Sequence, residues 1–337
     1  SSDVCSSDLV AGQDLTLKTN NFSSSGLLLA NGNLSADIGQ WTNSATLQSL
    51  GSQWLNMGSL NSSGQFLSGN DLTLTGRQAI TLEGLTSARN NLTLTTPGGL
   101  SLGTGGQLLS DGGLWLNGGN VLLDGQIAGG SQVNIHGTAL TSGNSSSLSS
   151  KGNLTLSSGE TSLGGQLSAQ GDVSLNAAGL TTRAGSQLQG HNLTLSMQQG
   201  QLAGNQAASG DLQVTSAGNL SHSGTLNGQT VGVRADQLDN SGSWQTEQLI
   251  LQLRGLTQQG SLLARQGMTL NADRLTYWPI DDEVEAEGNV RLEQGNDVVA
   301  GPKMRLKIED QFGYFEQPSY TLRRKSPAMQ AAIDTEG

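Results

Sequence analysis

The sequence predicts an all-β protein: a right-handed parallel β-helix with about 20 residues per coil, followed by a short antiparallel, jelly-roll-like β segment. Three observations carry this. A polar–Leu–x–Leu motif recurs at steps of roughly 18–22 residues through most of the chain, the mark of stacked repeats rather than a globule. Within each copy apolar and polar residues alternate, as in Leu193-Thr194-Leu195, which is strand period; no stretch keeps an apolar stripe at helical spacing over three turns. The 337 residues include 48 Gly but only 4% aromatics, too few large side chains for one thick globular core and enough small ones for many sharp turns.

Residues 1–9, SSDVCSSDL, lack the charged start and apolar core of a secretory signal. They resemble translated sequencing adapter, and fold reasoning therefore starts at residue 10. The single cysteine, Cys5, falls in this stretch. Disulfides, Cys–metal sites and a Cys nucleophile are therefore not expected in the rest of the chain.

Residues 10–271 are the repeat region. The motif is clearest at Asp14, Asp71, Asn91, Asn153, Asp172, Asn192 and Asp211, with weaker copies starting at Asn33, Gln53, Gly113, Gln132, Thr230, Gln248 and Gly267. A four-residue strand cannot bury an apolar face alone. Equivalent strands stacked about 4.8 Å apart place each inward Leu on the Leu of the next coil, and about fourteen coils would extend on the order of 65 Å. A Gly-bearing turn and a second short apolar stretch, such as Gln166-Leu167, complete each coil; the glycines are expected at sharp bends, often at positive φ.

Stacking brings Asn153, Asp172, Asn192 and Asp211 into one row. Such a row reads as a structural ladder whose side chains hydrogen-bond along the stack and satisfy turn amides. A row of bound cations is the sharper alternative, but the Gly-Gly-x-Gly-x-Asp nonapeptide of calcium-binding β-rolls is absent from the sequence. His136, His191 and His222 fall at different places around the coil and read as surface or turn residues that share no metal or nucleophile. No carboxylate cluster flanked by Lys or Arg suggests sugar cleavage. The expectation is therefore no enzyme, no cofactor and no metal. The net charge of −11 argues against a phosphate-tracking surface, so no nucleic-acid partner is expected either.

Repeats of the form N-L-T-L … G … L … G resemble those of filamentous haemagglutinins, including two-partner-secreted adhesins and the stick proteins of contact-dependent growth-inhibition systems (CdiA-like). The resemblance implies a non-catalytic, surface-exposed stalk for adhesion or effector presentation, secreted and displayed at the cell surface or outer membrane. Its implied partners are an outer-membrane two-partner secretion transporter and a receptor on a host or neighbouring cell.

Residues 272–337 change character. They hold 13 of the 27 acidic residues, 8 of the 16 Lys and Arg, four of five Pro and all three Tyr, but few of the glycines. Val284-Glu285-Ala286, Asn289–Glu293 and Met304–Ile308 alternate apolar with charged residues, as strands of an antiparallel sheet with one solvated face do. A-D-R-L-T-Y at 272–277, E-A-E-G-N-V-R-L at 285–292, A-G-P-K-M-R-L at 300–306 and F-G-Y-F-E-Q-P-S-Y at 312–320 resemble the periplasmic N-terminal segment of the LptD family, the OstA-like fold. That resemblance implies an open jelly roll passing lipid acyl chains, with lipopolysaccharide and other lipopolysaccharide-transport components as partners. By position, Leu275, Val290, Leu292, Leu306 and Ile308 are candidates for its lipid-facing side. The stretch Met268–Thr276 serves equally as the end of a coil and the start of the LptD-like strand. Two readings follow: a chimera of two genes, or a fusion whose second module caps the open end of the solenoid.

Overall fold

The computed structural model describes residues 3–5, 8–277, 284–294, 298–299, 304–306 and 320–321, with side chains placed over 8–271. Every regular element among them is a β-strand. The chain folds as two compact units, Ser1–Gly210 and Asp211–Gly337.

In the first unit the strands stack in parallel, coil on coil. Leu15, Leu34, Gln53, Leu72, Leu92, Leu114, Val133, Leu154, Val173 and Leu193 are successive register partners. Hydrogen bonds between equivalent positions of neighbouring coils span 19, 20 or 22 residues. The register therefore tolerates turn insertions of a few residues without shifting a strand, because the extra residues are absorbed at exposed turns.

The interior is a set of apolar rows. One runs through Leu34, Leu72, Leu92, Leu114 and Leu154, all fully buried, and another through Leu28, Leu47, Phe66, Leu108 and Leu148. Each such side chain contributes about 1.5–3 kcal/mol by leaving water. One expectation is corrected here. Gln53 is not a motif start: it lies in register with Leu34 and Leu72 and is fully buried, which puts Ser52 at the start position. Its Nε2 donates to the carbonyl oxygens of Leu67 and Leu47, at 2.7 and 3.4 Å, so a polar side chain holds a place otherwise taken by Leu.

Most first strands are ten residues long rather than four. Along Leu34–Asn43 the inward residues are Leu34, Ala36 and Ile38, then Trp41 and Asn43. Strict alternation would have put residue 40 inside. The extra outward residue at Gly39–Gln40 turns a corner while the ladder to the next coil continues. A side chain at Gly39 would collide with the carbonyl of Asn20, and one at Gly58 with that of Gly39. Close approach of the stacked backbones leaves no room for a side chain at Gly39 and Gly58, while among the described glycines positive φ is confined to Gly26, Gly165 and Gly185.

The second unit carries the same parallel stacking through Leu212–Ser216, Asn219–His222, Thr225–Asn240, Ser243–Gln258 and Ser261–Tyr277. Thr230, Gln248 and Gly267 are register partners, as their places at motif starts require. The direction of pairing then changes. Ser261–Tyr277 pairs in parallel with the preceding coil on one edge and antiparallel with Val284–Gln294 on the other. Val284–Gln294 pairs antiparallel in turn with Val298–Val299 and Met304–Leu306. The compositional break at residue 272 thus falls inside one continuous strand.

Candidate functional site

The motif-start row is built from backbone upward. Each start residue precedes the first inward residue of its coil, at a turn whose N–H faces the start residue of the preceding coil. Asp14 Oδ1 accepts the N–H of Asn33 at 2.7 Å, and Asn33 Oδ1 that of Ser52 at 2.9 Å. Asp71 accepts from Asn91 at 3.1 Å, and Asn91 from Gly113 at 3.0 Å. Further along, Asn153 Oδ1 accepts the N–H of Asp172 at 3.0 Å. Asp172 Oδ1 accepts both the N–H and the Nδ2–H of Asn192, at 3.2 and 2.9 Å. Holding the next coil's N–H takes one acceptor oxygen, which a carboxylate or a carboxamide supplies equally. That explains the mixture of Asp and Asn along the row. Asp211 starts the second unit.

The histidines lie in three different environments. His136 points outward in the row of Asn117 and Ser157, and His191 sits exposed at a turn with Nδ1 3.1 Å from Ser209 Oγ. His222 departs from the surface position expected of it: it is 1% exposed. It heads a buried polar row in which His222, Asn240 and Gln258 are register partners on successive coils. Asn240 Nδ2 donates to Gln258 Oε1 at 3.0 Å, and Asn240 Oδ1 accepts the N–H of Gly242 at 3.0 Å. His222 Nδ1 lies 2.9 Å from Asn240 Oδ1 and 2.8 Å from Trp244 Nε1. One nitrogen cannot serve both. It accepts from the indole only with its own hydrogen on Nε2, and donates to Asn240 only in the other tautomer. Burial pushes the imidazole pKa from 6.5 down to about 4, against a smaller upward pull from Asn240, so the ring is neutral near pH 7.

The first unit holds a counterpart. Ser24, Asn43 and Ser62 form a buried row in which Ser24 Oγ donates to Asn43 Oδ1 at 2.6 Å and Asn43 Nδ2 donates to Ser62 Oγ at 3.0 Å. The Trp41 indole N–H donates to Ser24 Oγ at 3.1 Å, and its ring packs between Phe22 and Phe66. These networks tie successive coils together, while Gln53 Oε1, Thr86 Oγ1, Ser186 Oγ, Gln206 Oε1 and His222 Nε2 are buried without a hydrogen-bond partner. Among the described residues no three or more His, Cys, Asp or Glu side chains gather as metal ligands would.

The lipid-facing candidates belong to the second unit. In backbone register Leu292 lies opposite Leu270, Val290 opposite Ala272, Leu275 opposite Ala286 and Leu306 opposite Val284. Ile308 lies outside the described residues.

Long parallel strands, coils of near-constant length, a continuous apolar bore and polar rows spent on coil-to-coil hydrogen bonds define a parallel β-solenoid of the kind that fits an adhesin-like stalk. The Haemagglutinin repeat family model matches residues 6–53, 30–103, 87–158, 157–255 and 251–277, and the chain belongs to that family. It also carries an LptD-like stretch. LPS-assembly protein LptD of Aromatoleum aromaticum is 53% identical over 64 residues, 19% of this chain and 8% of that protein. LptD of Azoarcus sp. is 40% identical over 91 residues, 25% of this chain and 11% of that protein. LptD of Nitrosomonas eutropha is 30% identical over 102 residues, 30% and 13% respectively. The chain thus spans about a tenth of the length of these relatives. No solved structure matches.

The sequence did not single out the buried His222 and Ser24 rows or an outward row containing Trp54 and Trp115. Aligning the copies on their register exposes both, since each residue then falls at an equivalent position one coil from the next.

Proposed function

We propose that residues 10–271 are a non-catalytic stalk displayed at the cell surface, part of a two-partner-secreted adhesin or a contact-dependent growth-inhibition stick protein. The stalk mediates cell adhesion or presents an effector. The observation that carries this reading is the use of the repeat: its polar rows satisfy coil-to-coil hydrogen bonds and its apolar rows fill the bore, which is what an extended support needs. An outer-membrane secretion transporter and a receptor on a host or neighbouring cell are its partners. The reading is tested with Asn117→Cys in a Cys5→Ser background, expressed from the native locus and treated with a membrane-impermeant maleimide. Labelling of intact cells supports display; labelling only after lysis overturns it.

The LptD matches favour a second reading for residues 272–337, a section of a lipid-conducting sheet acting in lipopolysaccharide transport at the periplasmic face of the outer membrane. In that reading Leu275, Val290, Leu292, Leu306 and Ile308 face acyl chains. The row Asn153, Asp172, Asn192 and Asp211 remains purely structural. Photocrosslinking of the full chain to lipopolysaccharide separates the two: adducts confined to residues before 272 sink the lipid reading. One uninterrupted DNA read across the codons for residues 240–300 decides between a chimera of two genes and a single gene.

A further inference from the structure

Of the five tryptophans, Trp41 and Trp244 are buried, whereas Trp54 and Trp115 share one outward row of the first unit. Register sets four neighbouring rungs side by side: Trp54-x-Asn56, Thr73-x-Thr75, Thr93-x-Thr95 and Trp115-x-Asn117. Two indole-and-amide rungs thus bracket two rungs of paired hydroxyls. The intervening residues, Leu55, Leu74, Leu94 and Leu116, point into the bore and hold the rungs flat.

We infer that this face is a binding platform for a neutral oligosaccharide. Three rung spacings separate the indole-bearing positions by about 14 Å, the reach of a short sugar chain. Trp54 is 46% exposed and so presents indole surface to solvent on this face. The half-buried Trp115 ring lies back over Gly113, where a side chain would push against it, so the ring is laid along the strand surface. An indole face is electron-rich and attracts the polarised C–H groups of a pyranose ring, while the Thr hydroxyls and Asn amides between and beside the indoles both donate and accept, as sugar hydroxyls require. None of the eight outward residues is charged. Asp37, next to Asn56 in the same row, is paired with Arg77 at 3.9 Å. A neutral ligand suits such a face better than a phosphate or a sulfate.

This goes beyond the stalk reading, which would survive its failure. Neutral hexasaccharides of glucose, galactose and N-acetylglucosamine are titrated into the full chain, followed by tryptophan fluorescence and by calorimetry. At least one is expected to bind, with Trp54→Ala and Trp115→Ala each weakening it tenfold or more. Trp54→Phe should retain most of the affinity, and Leu122→Ala, an exposed apolar residue on another outward row, should change nothing. Unchanged circular dichroism of each variant excludes misfolding as the cause. Absence of binding by all three sugars overturns the inference, as does binding insensitive to Trp54→Ala. A Trp54→Ala variant altered only in self-association would reassign the face to contact between copies of the chain.

Discussion

Acidification should loosen the second unit through one residue. His222 is buried with its pKa lowered from 6.5 to about 4, and desolvation is the principal cause. The groups against it, Asn240, Gly242 and Trp244, carry no charge that could stabilise an imidazolium. The unfolded chain takes up the proton first, so stability is fully present above pH 6.5 and is lost as the pH falls toward 4. The difference in proton uptake between unfolded and folded chain costs about 1.4 kcal/mol of stability by pH 5.5, and about 3 kcal/mol once the pH reaches the folded pKa. The variant His222→Gln keeps both an acceptor for the Trp244 indole N–H and a donor for Asn240, but does not titrate. Urea denaturation at pH 7 and at pH 5, followed by circular dichroism, measures the difference. The wild-type midpoint should fall more on acidification than that of His222→Gln. Equal pH dependence in the two proteins would refute the assignment of the effect to His222.

Two further outcomes follow from the stacking. Leu154→Ala empties a fully buried place between Val133 and Val173, and should destabilise the protein by about 2–5 kcal/mol, read from the shift in urea midpoint. Gly58→Val brings a branched side chain against the backbone carbonyl of Gly39 on the preceding coil; it should cost more than the same change at Gly12, where nothing lies close, and comparison of the two melting temperatures tests this.

Much of the fold was legible because a stacked repeat writes its register into the sequence. Once Asn153-Leu154, Asp172-Val173 and Asn192-Leu193 are aligned, strand direction, inward rows and coil length follow from period 2 and the repeat step. What stayed hidden had physical reasons. Gln53 looked like a polar motif start, but two backbone carbonyls accept from its Nε2 and hold it in the bore in place of a Leu, with Oε1 left unpaired. The ten-residue strands were unreadable because the corner at Gly39 breaks alternation without breaking the ladder. Glycine was expected for its freedom of φ, whereas Gly39 and Gly58 are needed for the closeness of the neighbouring backbone. His222 looked like a surface residue because nothing local marks a histidine as buried. Its partners Asn240 and Trp244 lie 18 and 22 residues away, one coil on.

The stacked register itself is open to a direct measurement. In a Cys5→Ser background, cysteines at Thr155 and Ser174 occupy partner positions on adjacent coils. Their Cα atoms should lie about 4.8 Å apart, within the range a disulfide spans. Cysteines at Thr155 and Thr194 lie two coils apart, at about twice that separation and beyond disulfide reach. The solenoid account predicts rapid intramolecular oxidation of the first pair and none of the second. Failure of the 155–174 pair to close, or equal closure of both pairs, would contradict it.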